Sequence, residues 1–121
     1  MTISVLLADD SPLMRKAIAN FLRDDPEIHV AEEVASFRRT MMLASTLHPR
    51  VIVMDIYMDD GGDVTPSQIK SSLADAKILA ISFANDCESK EAATSYGAVA
   101  VLDRTKLAND LIPAIRRCAK E

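Results

Sequence analysis

Five polar side chains follow four apolar runs of this chain, close to the points where those runs end. Asp9 and Asp10 come after residues 3–8, Asp55 after residues 51–54, Ser82 after residues 77–81, and Arg104 shortly after residues 98–102. A carboxylate can attack a phosphoryl group and form an acyl phosphate, and a bound divalent cation reduces the repulsion between the two anions. A hydroxyl and a guanidinium can hold phosphoryl oxygens. Together these residue types suit the chemistry of a hard cation and a phosphoryl group.

The apolar runs alternate with stretches of helical periodicity, which is typical of βαβ units. We predict strands at residues 3–8, 28–33, 51–54, 77–81 and 98–102. Helices are predicted to begin at Ser11-Pro12, near Ser36, at Thr65-Pro66 and near Asp86, and a last helix carries Leu107, Leu111, Ile115 and Cys118. Because the carboxyl ends of parallel strands lie at one edge of a sheet, where ligands bind, we expect the five polar side chains to share a crevice.

This alternation predicts an α/β fold, a (βα)5 doubly wound domain with a parallel five-stranded sheet. The flavodoxin-like order 2-1-3-4-5, which is known for such domains, fits the pattern of its strands. The uniformly apolar third strand suits the centre of such a sheet, and the more polar second strand suits an edge. With 121 residues in the chain, we expect one domain over residues 1–121 and no output domain within it.

Some local features leave room for alternatives. Pro113 falls inside the last helical pattern, so that helix either starts late, near Asn109 or Asp110, or is kinked. Leu13 recurs at helical spacing with the apolar residues of the first helix. The acidic segment 59–63 is expected to form a flexible, solvated loop.

Charge and composition exclude several classes of partner. The net charge of −4 argues against direct nucleic-acid binding by this domain. No apolar run approaches the roughly 20 residues of a membrane span, so we expect no membrane partner. Cys87 and Cys118 have no C-x-x-C spacing and are expected to be reduced thiols. We therefore expect a soluble, cytoplasmic protein.

Asp55 is the best candidate for a nucleophile because it directly follows the most apolar strand and lies near other acids. Asp9 and Asp10 would supply further ligands to Mg²⁺, which typically takes one or two carboxylates plus phosphate and water. Without a cation, clustered acids raise one another's pKa. The alternative is that Asp9 and Asp10 only cap the first helix.

The same residues resemble response-regulator receiver domains of two-component signalling. Residues 6–15 (LLADDSPLMR) resemble the first signature of that family, and residues 51–58 (VIVMDIYM) resemble its phosphoacceptor segment. Ile81-Ser82 resembles the Thr/Ser at the end of the fourth strand, and residues 97–104 resemble the segment that ends in a lysine. The resemblance covers essentially the whole chain. It is stronger to receivers joined to a helix-turn-helix (LuxR-type) domain than to stand-alone chemotaxis receivers.

The resemblance implies that Asp55 accepts a phosphoryl group from a sensor histidine kinase. It also implies that Asp10, Asp55 and the backbone carbonyl of Tyr57 bind Mg²⁺, with Asp9 helping through water. Ser82 would turn toward the phosphoryl group. The surface built by the last two helices and the fifth strand would then change its partner preference, for example toward a homodimer, and control a transcription-regulating domain. We expect no enzymatic activity beyond slow self-dephosphorylation.

Four positions depart from the family pattern. Arg104 stands where the family has lysine, and Val101 stands where it has the switch aromatic. Asp59 and Thr105 each replace a proline. Val101 argues against a switch that rotates an aromatic ring. Arg104 keeps a second interpretation open, a phosphorylation-independent pseudo-receiver that acts as a protein-interaction module.

Two other classes fit the residues less well. Phosphohydrolases of the haloacid dehalogenase type also use an aspartate after a strand, but they place a second acid two residues later, where this chain has Tyr57. A flavodoxin would have a phosphate-binding loop rich in hydroxyls and glycine after the first strand. Asp9 and Asp10 give that position the wrong charge.

Overall fold

A computed structural model describes residues 2–83 and 87–120 of the chain. The strands are β1 (Ile3–Ala8), β2 (Ile28–Val34), β3 (Val51–Asp55), β4 (Lys77–Ser82) and β5 (Ala98–Asp103). The helices are α1 (Pro12–Arg23), α2 (Phe37–Leu47), α3 (Pro66–Ser72), α4 (Cys87–Ser95) and α5 (Leu107–Ala119). The predicted start of the fourth helix at Asp86 lies outside the described residues. Within the described part of the chain, no helix is long and apolar enough to cross a membrane.

The strands form one parallel sheet of order β2-β1-β3-β4-β5. Every residue of β3 is buried, as expected for a central strand whose two faces are both covered. β2 lies at one edge and alternates buried with exposed residues. The predicted α/β fold, its flavodoxin-like order and its central strand are therefore confirmed.

Helices cover both faces of the sheet. α1 and α5 pack on one face, where the buried residues include Ile18, Leu22, Leu111 and Ile115. α2 and α3 pack on the other face through residues such as Phe37 and Ile69. α4 is held by a smaller cluster with only Ile56, Ala80 and Ala93 at its buried centre. The sheet between these layers fixes where the strand ends, and hence the candidate site residues, lie.

Three helix boundaries follow from local chemistry, two of them at the predicted starts. Ser11 stands directly before Pro12, the first residue of α1, and its hydroxyl accepts a hydrogen bond from the backbone N–H of Met14. Thr65 and Gln68 form a reciprocal capping box at the start of α3. Gly97 has a φ of +90° after α4, a conformation that favours glycine.

One prediction about a helix needs correction, and one apolar residue of α1 proves to be exposed. α5 begins at Leu107, after a 3-10 turn at Arg104–Lys106, and Pro113 lies inside it. The late start is therefore wrong, because burial of Leu107 and Leu111 at helical spacing extends the helix toward β5. Leu13 is not part of the core: it is 84% exposed, because the buried face of α1 is formed by Ile18, Ala19 and Leu22.

The acidic segment after β3 is also more ordered than the sequence suggested. Residues 59–62 form a 3-10 turn. The Asp60 carboxylate accepts hydrogen bonds from the backbone N–H groups of Phe37 and Arg38. Asp60 thus satisfies free donors at the start of α2, a common role for an acid at a helix N-terminus. The segment ties the β3 end to α2 and is not simply a flexible loop.

Candidate functional site

The three predicted acids meet at the carboxyl edge of the sheet. Asp9 and Asp10 follow β1, and Asp55 is the last residue of β3. The two strands are neighbours, with Ala8 opposite Met54. One carboxylate oxygen from each acid can be chosen so that all lie within 4.8 Å of one another. Parallel register therefore produces the predicted cluster from residues far apart in the chain.

Backbone N–H groups fix the direction of each carboxylate. Asp9 Oδ1 accepts from the N–H of Ser11 at 2.9 Å, and Asp55 Oδ1 accepts from the N–H of Tyr57 at 2.9 Å. Asp10 Oδ2 accepts from the N–H of Asp59, also at 2.9 Å. These bonds orient the acids toward the crevice. The Asp9 bond also helps to cap α1, so the capping role and the site role coexist in that residue.

Arg104 reaches the acids from the other side of the crevice. Its Nη2 lies 3.0 Å from Asp55 Oδ2 and 3.4 Å from Asp9 Oδ2. The Arg104 side chain is only 8% exposed. Since β4 lies between β3 and β5, the side chain crosses the end of β4 to make these contacts. Arg104 therefore places one positive charge beside the buried acids.

Asp9 shows the cost of gathering acids in a buried place. It is fully buried, and burial raises the pKa of its carboxyl above the usual value. The hydrogen bond from Ser11 lowers that pKa, the neighbouring Asp55 and Asp10 raise it, and Arg104 lowers it, with the net shift upward. Three clustered carboxylates lie near the guanidinium of Arg104, and this excess of negative charge favours binding of a further cation.

The donor set fits Mg²⁺ by its chemistry. Carboxylate oxygens are the ligands that hard divalent cations prefer, and Mg²⁺ combines a few of them with water and phosphate oxygens. The outward oxygens of Asp9 and Asp55 face Arg104, so a cation at this site shares them with the guanidinium. The backbone carbonyl of Tyr57 as a further ligand stays a prediction.

Ser82 and Val101 lie where the sheet order places them. Ser82 is buried at the end of β4, next to Ile81, which pairs with Asp55. Val101 is half-buried in β5 and packs against the small cluster under α4. Their roles as switch residues stay predictions.

Two aromatic contacts were not anticipated from the sequence. The Arg104 guanidinium carbon lies 4.2 Å from the centre of the Phe83 ring. The Tyr57 hydroxyl is 3.0 Å from the Ser89 hydroxyl, which links the β3 end to α4. The sequence feature that could have indicated these contacts is position. Phe83 and Tyr57 stand just after strand ends in a chain whose aromatic content is only 4%.

The chain resembles known signalling proteins over nearly its whole length. Residues 5–116 match the family described as "Response regulator receiver domain". The chain is 34% identical to "Response regulator protein VraR" of Staphylococcus aureus (strain NCTC 8325 / PS 47), over 99% of this chain and 58% of that protein. It is 35% identical to "Transcriptional regulatory protein LiaR" of Bacillus subtilis (strain 168), over 98% of this chain and 56% of that protein. The chain thus spans less than two thirds of these curated relatives.

Solved structures show the same fold. The signal receiver domain of the putative response regulator NarL from Mycobacterium tuberculosis matches with a TM-score of 0.85 at 21% identity, over 98% of this chain and 97% of that one. A two-component response regulator of the LuxR family from Aurantimonas sp. SI85-9A1 matches with a TM-score of 0.86 at 20% identity, over 99% of this chain and 86% of that one. The predicted resemblance to response-regulator receiver domains is confirmed. By its match to the family over residues 5–116, this chain belongs to the response regulator receiver domains.

Proposed function

We propose that this chain is a phosphorylation-dependent signalling receiver in which Asp55 accepts a phosphoryl group from a sensor histidine kinase. The observation that carries the proposal is the position of Asp55 in the acid cluster. It ends a fully buried strand, its Oδ1 is fixed by the N–H of Tyr57, and its Oδ2 faces a buried cation. This arrangement orients one carboxylate toward the crevice and reduces its repulsion of an incoming phosphoryl group.

In the proposed transfer, a carboxylate oxygen of Asp55 attacks the phosphorus of a phosphohistidine. A P–O bond forms while the P–N bond breaks, and the imidazole leaves with the electron pair of that bond. Asp9 and Asp10 would hold Mg²⁺, which when bound supplies charge neutralisation for the two anions. Arg104 would donate to the phosphoryl oxygens, and Ser82 would donate its hydroxyl from the end of β4.

The proposed output surface is formed by α4, β5 and α5. α4 packs over a small cluster of the described residues, whose buried members are Ile56, Ala80 and Ala93. A charge change at Asp55 can bias such an element toward a second position. We propose that the shift promotes homodimer formation or binding of a protein partner, and through it controls a transcription-regulating domain. The net charge of −4 disfavours direct DNA contact by this domain.

We further propose that the chain has no catalytic turnover other than slow loss of its own phosphoryl group. The site is suited to accept a group and hold it.

Incubation with acetyl phosphate and Mg²⁺ tests the proposal directly. Intact mass measurement is expected to show the addition of one phosphate to the wild-type chain and none to Asp55→Asn. Asp25→Asn is the matched control, because Asp25 is also paired with an arginine but lies far from the crevice. Sedimentation with and without beryllofluoride then measures whether activation changes self-association.

Three results would contradict parts of the proposal. Phosphate that persists in Asp55→Asn would place the acceptor elsewhere. A chain that takes no phosphate from acetyl phosphate or from any histidine kinase, yet binds a protein partner, would favour the phosphorylation-independent interaction module. A salt-sensitive gel shift with these 121 residues alone would contradict the absence of direct DNA binding.

A further inference from the structure

Arg104, the cationic side chain of this site, contacts the ring of Phe83 as well as the acids. The guanidinium carbon lies 4.2 Å from the ring centre. Phe83 directly follows β4, and its side chain is 70% exposed. A large apolar ring left this exposed contributes little to the core. The ring instead lies against the guanidinium of Arg104, the side chain that contacts Asp9 and Asp55.

The acids alone do not explain how Arg104 is oriented. Arginine pairs with carboxylates most strongly when two of its N–H groups bind two oxygens in parallel. Here a single nitrogen, Nη2, contacts both Asp9 and Asp55. Arg104 Nε is buried and has no hydrogen-bond partner among the described residues. An orientation that sacrifices the parallel pairing needs another cause, and the Phe83 ring against the guanidinium supplies one.

The oxygens that Arg104 contacts are those left for a metal ion. Oδ1 of Asp9 and Oδ1 of Asp55 are already occupied by backbone N–H groups. Their Oδ2 atoms face Arg104. A divalent cation that binds through these Oδ2 atoms competes with the guanidinium nitrogen for them and weakens its contacts. Any residue that stabilises Arg104 in its present place opposes that binding.

We propose that Phe83 is a positioning residue whose ring holds Arg104 over Asp9 and Asp55 and thereby lowers the affinity of the site for divalent cations. The inference rests on the function proposed above, because it concerns the same metal site. It adds that the exposed ring of Phe83, which lies outside the acid cluster, controls how readily Mg²⁺ replaces the Arg104 guanidinium at the acids.

Calorimetric titration of MgCl₂ into variants at this position tests the inference. Phe83→Leu is expected to bind Mg²⁺ about two- to fivefold more tightly than wild type, the range expected for losing an exposed cation–π contact. Phe83→Trp keeps an aromatic face and is expected to bind Mg²⁺ no more tightly than wild type. Arg116→Lys is the matched control, since Arg116 also pairs with two acids but lies away from the crevice, and its Mg²⁺ affinity should equal that of wild type.

A double-mutant comparison separates positioning from a general effect on the fold. In an Arg104→Met background, Phe83→Leu is expected to leave the Mg²⁺ affinity unchanged, because there is no guanidinium left to hold. Phe83→Trp also introduces the sole tryptophan of the chain. Its fluorescence is expected to change during the Mg²⁺ titration with the midpoint found by calorimetry, as the guanidinium leaves the ring.

The inference is overturned if Phe83→Leu binds Mg²⁺ no more tightly than wild type, or if its effect is the same with and without Arg104. Constant tryptophan fluorescence during metal binding also overturns it. These outcomes leave the proposed phosphoacceptor intact, provided that the wild-type chain binds Mg²⁺. A wild-type chain that binds no Mg²⁺ overturns both this inference and the metal part of the proposed function.

Discussion

Two arginines of this chain each pair with two acids, at opposite edges of the sheet. Arg104 contacts Asp9 and Asp55 at the carboxyl edge, with its side chain 8% exposed. Arg116, in the last turn of α5, contacts Asp25 and Glu27 near the start of β2, with its side chain 42% exposed. The charges are alike, but their surroundings differ.

Because of these surroundings, the pKa of Asp25 near Arg116 and the pKa of Asp9 near Arg104 shift in opposite directions. At the exposed cluster, the backbone N–H of Glu27 and the Arg116 side chain lower the pKa of Asp25. The pKa of Arg116 is raised, first by its hydrogen bond with Asp25. At the buried cluster, burial outweighs the hydrogen bonds, and the pKa of Asp9 is raised. The exposed cluster is a satisfied link between α5 and the α1–β2 turn, whereas the buried cluster still favours additional positive charge.

The largest expected difference between the clusters is their response to Mg²⁺. A ligand that binds the native state raises the melting temperature, so Mg²⁺ should stabilise the wild-type chain. Asp10→Ala is expected to remove most of that rise, because it deletes one of the three clustered acids. Asp25→Ala should keep the full rise. Thermal melting in a Mg²⁺ series measures both variants, and equal shifts in Asp10→Ala and wild type would show that the ion does not use this cluster.

Removing each arginine provides the second test. Without Mg²⁺, Arg104→Met is expected to lower the free energy of unfolding by about 2 kcal/mol, because it leaves two buried carboxylates without a cation. Arg116→Met should cost less, since water solvates Arg116 and its partner Glu27, whose side chains are 42% and 51% exposed. Urea unfolding of both variants measures the difference. Mg²⁺ should restore much of the loss in Arg104→Met and none in Arg116→Met, and the reverse pattern would contradict the comparison.

The smallest expected effect is the pH dependence of the exposed cluster. The pKa of Asp25 is lower in the folded than in the unfolded chain, so its carboxylate contributes stability above the unfolded pKa. That contribution is lost as the pH falls through the folded pKa. Asp25→Asn should therefore be less stable than wild type at neutral pH, and the two should converge in acid. Urea unfolding between neutral pH and pH values below 3.8 checks this, and a difference that does not depend on pH would contradict it.

Much of the fold was readable from the chain because its signals are local. The apolar runs predicted all five strands to within one residue at each end. Ser11-Pro12 and Thr65-Pro66 predicted helix starts, since capping depends on residues only a few positions apart. The start of α5 was less accessible, because Pro113 suggested a break that burial of the helix against the sheet overrides.

In the candidate site, too, some features could be predicted from the sequence and others could not. Parallel strand order alone brings Asp9, Asp10 and Asp55 to one edge, so their cluster was predicted without any side-chain detail. The contacts of Arg104 were not predictable in that way. A strand-end position specifies the edge at which a side chain lies, but not how far it reaches or which oxygen it contacts.

By itself, the sequence determined the elements, their parallel order, the family to which the chain belongs and the gathering of acids at one edge. Hydrophobic periodicity and local capping encode the elements directly, whereas the strand order and the family followed from resemblance to known folds and motifs. Only the tertiary structure decided that Arg104 crosses the end of β4 to reach Asp9 and Asp55, and that Phe83 lies against it. It also decided that Asp60 caps α2 and that Leu13 faces solvent. The reason is that side-chain direction and reach depend on packing between elements distant in the chain, which no local pattern specifies.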